Sequence, residues 1–181
     1  MPIHVALLRG INVGGHQLVA MTDLRGMLTK LGFTGVQSLL QSGNIVFRGD
    51  QRAAATVETL LETEARKRLR VDVRFFVRSR DEWDAIVTKN PFPDQAKRDP
   101  AHLVAMCLKR VVGKKEIEAL QAAISGREIA RGAGRDIYLV YPDGIGRSKL
   151  TNAVIERTLG TSGTARNWNT VLKINALIET R

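Results

Sequence analysis

The sequence predicts an α+β protein made of duplicated ferredoxin-like βαββαβ units, with mixed or antiparallel sheets covered by helices. Three observations carry that prediction. Short apolar, β-branched runs alternate with longer runs of helical periodicity. The order of these runs restarts after a polar, Pro-containing stretch from Asp94 to Pro100. Pro2-Ile3-His4-Val5 also echoes Pro100-Ala101-His102-Leu103 at the start of each half. The expected organisation is a first half over 1–93, a linker over 94–100, and a second half over 101–181 that ends in a helix. With 181 residues, 44% of them apolar, the chain has enough apolar side chains for a real core.

In the first half, Val5 to Leu8 reads as a buried strand. Thr22 can cap a helix that buries Leu24, Met27, Leu28 and Leu31, with Gly32 at its C′ position. Val36 to Leu40 and Ile45 to Phe47 read as strands joined by Gln41-Ser42-Gly43-Asn44, a hairpin signal. Ala53 to Leu69 has Val57, Leu60, Leu61 and Ala65 on one helical face. Val71 to Val77 reads as a strand. Ser79 and Glu82 form a capping box for a helix that buries Trp83, Ile86 and Val87, and Asn90-Pro91-Phe92-Pro93 stops it.

In the second half, Leu103 to Leu108 reads as a strand and Lys114 to Ile124 as a helix. Arg127 to Arg131 and Asp136 to Tyr141 read as a strand pair. Leu150 to Leu159 reads as a helix, and a last helix runs from about Trp168 to Ile178.

Lys and Arg number 28 against 18 Asp and Glu, a net charge of +10, and the second half is the more basic. That balance favours anionic partners: phosphorylated metabolites, nucleotides, nucleic acid or acidic protein. The single cysteine, Cys107, excludes an intramolecular disulfide and a Cys-based zinc site. The apolar run from Ile3 to Leu8 is too short for a signal peptide and lacks a basic start. The expectation is a soluble cytoplasmic protein with no membrane partner.

The densest polar stretch is Gly144-Ile145-Gly146-Arg147-Ser148-Lys149-Leu150, followed by Thr164-Ala165-Arg166-Asn167-Trp168-Asn169-Thr170. The two glycines let the backbone turn into the helix expected near Leu150, with Ser148 as its cap. A helix N-terminus attracts phosphate or carboxylate. Arg147 would add a bidentate fork and Lys149 a point charge. Two cations at a helix N-terminus oppose the dipole, which points to a compensating anion. In the second stretch Arg166 can meet an anion, Thr164, Asn167 and Asn169 can meet polar groups, and the Trp168 ring can stack. The structural alternatives are a helix cap at Asn167 or Asn169 and a core role for Trp168.

Other features are weaker. Gly10-Ile11-Asn12-Val13-Gly14-Gly15-His16-Gln17 has the glycine spacing of a phosphate loop, but His16 and Gln17 replace the required Lys and Ser/Thr. Ser42-Gly43-Asn44 suits a turn without any further role, and in the functional alternative Ser42 and Asn44 present hydrogen-bonding groups at a strand end. Arg74, Phe76 and Arg78 share one strand face, an arrangement that can stack a base, although the RNP1 pattern is missing. His4, His16 and His102 are scattered; His4 and His102 begin strands and read as structural. No Gly-x-Ser-x-Gly elbow, catalytic carboxylate pair, metal site or cofactor motif is present in the sequence.

Leu8-Arg9-Gly10-Ile11-Asn12-Val13-Gly14-Gly15, Gln41-Ser42-Gly43-Asn44-Ile45-Val46-Phe47, Asn90-Pro91-Phe92, Gly146-Arg147-Ser148-Lys149-Leu150 and Thr164 to Thr170 together resemble the bacterial family called domain of unknown function 1697. The motifs run in the same order from about residue 3 to the C-terminus. The resemblance implies two ferredoxin-like halves and implies no activity. The expected function is binding of a phosphorylated or carboxylated small molecule by Arg147, Ser148, Lys149, Thr164, Arg166, Asn167, Trp168 and Asn169, joined by Arg9 and Asn12. The alternatives are sequence-tolerant nucleic-acid binding across a basic sheet face and a non-catalytic interaction domain.

Overall fold

A computed structural model describes residues 1–11 and 18–180. The chain forms two compact units, Met1–Ala85 with the segment from Ile174 onward, and Ile86–Lys173. The chain crosses from the first to the second inside helix α3 (Arg80–Thr88) and returns inside helix α7 (Trp168–Glu179). The stretch expected as a linker holds a short helix, α4 (Pro93–Arg98), and a 3-10 turn at Pro100–His102.

The first unit contains β1 (Ile3–Arg9), α1 (Met21–Lys30), β2 (Thr34–Leu39), β3 (Asn44–Arg48), α2 (Ala54–Leu69) and β4 (Arg74–Ser79). This is the βαββαβ order. Its strands lie as β2-β3-β1-β4, with every neighbouring pair antiparallel. Ala6 faces Ile45 and Val77 across the sheet, and with Leu8, Phe47 and Phe75 they pack on the inner faces of α1 and α2. Leu24, Met27 and Leu28 come from α1, and Val57, Leu61 and Ala65 from α2. Each large side chain buried there contributes about 1.5–3 kcal/mol.

Local signals explain most element ends. Gly32 takes φ +89°, and Phe33 N–H reaches the Leu28 carbonyl while Gly32 N–H reaches Thr29, closing α1 in a Schellman turn. Ser79 and Glu82 form the expected reciprocal cap of α3: Ser79 N–H donates to Glu82 at 2.8 Å, and Glu82 N–H to the Ser79 hydroxyl at 3.2 Å. Thr22 does not cap α1. The helix begins at Met21, whose side chain is buried, with Ala20 as the cap residue and no side-chain cap. Burial of Met21 extends the helix one residue past the polar signal. β4 begins only at Arg74 because Arg70, in the left-handed region at φ 55°, turns the chain out of α2 first.

The Ser42-Gly43-Asn44 motif belongs to the hairpin. Gly43 has φ +80° and its carbonyl accepts from Leu8 N–H at 2.8 Å. Asn44 is buried and donates to the Leu39 carbonyl at 2.9 Å.

The second unit contains β5 (Leu103–Val112), α5 (Lys114–Ala123), β6 (Ile129–Val140), α6 (Asn152–Leu159) and β7 (Gly163–Asn167), with α7 starting at Trp168. The sheet is β6-β5-β7, again antiparallel throughout. Val104, Met106, Leu108, Ile137 and Leu139 pack with Ile117, Leu120, Ile155 and Leu159 from α5 and α6.

Two corrections to the expected elements arise here. The strand pair expected over 127–131 and 136–141 is a single strand, β6, with an irregular register against β5 between Cys107 and Val112. Gly132 (φ +126°) and Gly134 (φ +81°) carry that irregularity where a hairpin turn was expected. The segment before the last helix, to which the sequence reading assigns no element, is the edge strand β7. Among the described residues, no helix is long and apolar enough to cross a membrane.

Two predictions follow from this packing. A Cβ on Gly43 would meet Leu8 Cβ at 2.7 Å, whereas one on Gly32 meets nothing within 4 Å. Gly43→Ala should lose about 3 kcal/mol in urea unfolding from overpacking plus left-handed strain, and Gly32→Ala about 1 kcal/mol from strain alone. Equal losses would remove the steric argument.

The second prediction concerns acid. Hydrogen bonds from Arg52, Arg68, Arg66, Arg110 and Arg127 hold Asp50, Glu64, Asp72, Glu116 and Asp143 below the ordinary values of 3.8 for Asp and 4.5 for Glu. A carboxylate depressed in the folded state adds stability above its unfolded pKa and loses it as pH falls through the folded one. The urea midpoint should therefore hold from neutrality to about pH 4.5 and fall only below it.

Candidate functional site

The polar loop after β6 sits at a defined end of the second sheet. Leu103 pairs with Val140 and Val104 with Asn167, so the start of β5 and the ends of β6 and β7 share that end. Tyr141 N–H donates to the His102 carbonyl at 2.9 Å, which ties the loop to the turn before β5.

The loop is held internally. Gly144, at φ +88°, donates N–H to the Tyr141 carbonyl, and residues Ile145–Arg147 form a 3-10 turn closed by Ser148 N–H on the Ile145 carbonyl. The Ser148 hydroxyl donates to Glu128 and accepts from Leu150 N–H at 2.9 Å. The buried Tyr141 phenol donates to the Leu150 carbonyl at 3.2 Å, and its pKa is pushed up to about 12 by burial, with a smaller push from Glu128.

Ser148 is therefore not the cap of the following helix, as the sequence suggests. Thr151 is: its hydroxyl accepts from Val154 N–H at 3.3 Å, and α6 starts at Asn152. Arg147 and Lys149 precede that helix rather than occupying its first turn, so the conflict with the helix dipole does not arise. Both side chains are exposed, and among the described residues neither makes an ion pair or side-chain hydrogen bond. Many exposed arginines here are neutralised locally: Arg52 by Asp50, Arg66 by Asp72, Arg110 by Glu116, Arg127 by Asp143.

The second polar stretch divides by strand alternation. Thr164 lies opposite Cys107, and Arg166 opposite Ala105, so both share a sheet face with Asp136 and Tyr138. Thr164 is buried, and Arg166 donates to the Thr164 hydroxyl at 2.9 Å and the Ala165 carbonyl at 2.8 Å. Desolvation lowers the Arg166 guanidinium to about 10, with the neighbouring Cys107 acting the other way. Asn167 caps α7 by accepting Thr170 N–H at 3.0 Å. Trp168 is buried at 4% exposure, 6.4 Å from the Tyr138 ring, and Asn169 is exposed. Trp168 fills the core and offers no free face for stacking.

The other candidates lie elsewhere. Arg9 ends β1 opposite Arg74 on β4, in the first unit. Asn12, with the rest of the glycine loop from 12 to 17 and His16, lies outside the described residues. Phe76 and Arg78 are fully buried, which removes the exposed Arg-Phe-Arg platform considered for nucleic acid. Arg78 donates to the Val77 carbonyl and lies 3.8 Å from Glu58, which accepts from Val77 N–H. His4 is buried within hydrogen-bond reach of the Asp50 carbonyl and stacks on Phe47, a structural role. Among the described residues, no group of three or more His, Cys, Asp or Glu could hold a metal ion.

His102 does more than begin a strand. Its Nδ1 is 2.6 Å from Asp99 Oδ2, and both side chains are partly exposed. Its Nε2 is 3.8 Å from where a Cβ on Gly144 would sit. The Asp99-x-x-His102 spacing was the available signal; reading Asp99 as linker hid it.

A two-unit α+β architecture with a polar loop at one sheet end is the class this chain defines. Residues 1–138 match the family model described as protein of unknown function (DUF1697), and the chain belongs to that family. The match ends before Gly144, so the loop and the β7 stretch lie beyond it. Among solved structures, the chain is similar to the conserved bacterial protein SP0830 from Streptococcus pneumoniae, at 27% identity, TM-score 0.74 and 96% coverage of each chain. No curated protein matches.

The anchoring of the loop is testable. Ser148→Ala removes the acceptor for Leu150 N–H and should lower stability by about 1–2 kcal/mol while speeding amide exchange at Leu150. Unchanged exchange at Leu150 would show that Ser148 does not hold the loop.

Proposed function

We propose that this member of an uncharacterised conserved bacterial family binds a small phosphorylated or carboxylated molecule at the loop Gly144–Lys149, beside His102. The observation that supports this reading is the state of Arg147 and Lys149: two exposed cations without side-chain partners among the described residues, on a loop held by its own hydrogen bonds. A fixed loop loses little conformational entropy when a ligand arrives. Arg147 supplies a planar fork for a carboxylate or phosphate and Lys149 a compact charge. His102, oriented by Asp99, borders the same loop at Gly144 and adds a hydrogen-bonding group. Thr164 and Arg166 act in this reading as supports of the sheet, since their polar atoms bond within it.

The test is titration with inorganic phosphate, citrate and AMP at low salt, followed by amide shifts and calorimetry. Saturable shifts are expected at residues 144–149. Arg147→Ala should weaken binding about 10-fold or more, the loss of one charge-assisted hydrogen bond. Lys149→Ala should weaken it less, and Arg110→Ala, which removes an arginine already paired with Glu116, should have no effect. Absence of saturable shifts in the loop with all three anions would end this reading.

A further inference from the structure

The second unit also contains a cavity of about 570 Å³ between α5 and the first half of β6. That volume lies within the roughly 300–1,000 Å³ range of small-molecule sites. Ile117 and Ala130 form its buried apolar floor, and Ile129 its partly exposed wall. Gly132 lines it with bare backbone, and that residue must be glycine: its φ is +126°, and a Cβ would meet the Asp136 carbonyl oxygen at 2.9 Å.

The cavity wall is preformed. Gln121 spans from α5 to the strand, accepting from Ala130 N–H at 2.8 Å and donating to the Glu128 carbonyl at 3.3 Å. These bonds occupy the backbone groups an added β-strand would need at that point, which argues against an extended peptide as the occupant.

The charges at the rim are unequal. Lys114 and Glu118 lie 3.8 Å apart, both well exposed, and largely cancel. Among the described residues Arg131 has no carboxylate partner; its guanidinium lies 5.7 Å from the centre of the ring of Phe92, a residue outside the cavity lining. The cavity therefore combines an apolar floor with an exposed edge-strand arginine in its lining that has no carboxylate partner among the described residues.

We infer that this cavity is a binding site for a monocarboxylic acid with an aliphatic or aromatic body, the carboxylate meeting Arg131 and the body covering Ile117, Ile129 and Ala130. The site is separate from the loop Gly144–Lys149 and does not depend on it.

The probe is octanoate, with acetate and octanol as controls, read by amide chemical shifts on the full chain. Octanoate should shift residues 129–132 and Ile117 saturably. Acetate lacks the body and octanol the charge, so each should bind at least 10-fold more weakly. Arg131→Gln should weaken octanoate about 10-fold, Glu118→Gln should tighten it, and Ile129→Ser should weaken octanoate and octanol alike. Arg131 and Glu118 are surface residues, so these variants are expected to fold, and a matching unfolding midpoint will verify it. No shift at these residues, octanol binding as well as octanoate, or an Arg131→Gln variant with unchanged affinity would each overturn the inference. Concentration-dependent shifts at the same residues without any added acid would instead mark a contact between copies and overturn it as well.

Discussion

The constraint on which the rest of this structure depends is that the central strands are apolar on both faces. β1 is buried from Ile3 to Leu8, and β5 from Leu103 to Leu108. Strands of that composition require cover on both faces. No open sheet face is then left at the middle of either sheet, and chemistry must move to strand ends, loops and helix–strand clefts. The cover reaches the edge strand β4 as well, where Phe76 and Arg78, attractive as an exposed platform in the sequence, are fully buried. The same cover is why the two sites argued above lie at a sheet end and along an edge strand.

Burial of polar groups follows the same logic. Glu58 on α2 accepts the Val77 amide and faces Arg78, so two ionisable side chains enter the interior together. Such a pair adds little net stability over an apolar one, but removal of either partner is expensive. Arg166 is the corresponding case in the second unit. Its lowered pKa expresses the desolvation its charge suffers, while Nη1 donates to the Thr164 hydroxyl and the Ala165 carbonyl. Arg147 is exposed and has no side-chain partner among the described residues.

Local chemistry made much of the fold legible. The Ser79/Glu82 cap, the Gly32 turn, the Gly43 hairpin and the apolar stripes of α1 and α2 are all short-range signals, and the structure realises each. The failures involve long-range selection. Gly132 and Gly134 read as a turn because glycine permits positive φ, yet pairing of β6 with β5 makes them an irregularity inside one strand. β7 was hidden because Thr164-Ala165-Arg166 is short and polar, and only pairing with β5 makes it a strand. Ser148 and Thr151 both suit a cap; Glu128, twenty residues away, takes the Ser148 hydroxyl and leaves the cap to Thr151.

The same distinction explains what was legible of the site. Residue type identified the stretch 144–170 as chemically dense, and density alone could not separate a ligand group from a structural one. Partners decide that. Ser148, Thr164, Arg166 and Asn167 have their polar atoms engaged within the fold, and Trp168 is enclosed. Arg147 and Lys149 have no side-chain partners among the described residues. Of the first group, Ser148 also helps give the loop its shape, since it and Tyr141 both anchor Leu150. Because α6 starts at Asn152, Arg147 and Lys149 do not oppose its dipole. What favours an anion in the proposed site is exposed charge on a loop already held by hydrogen bonds, which spares the entropy loss that a flexible loop would incur.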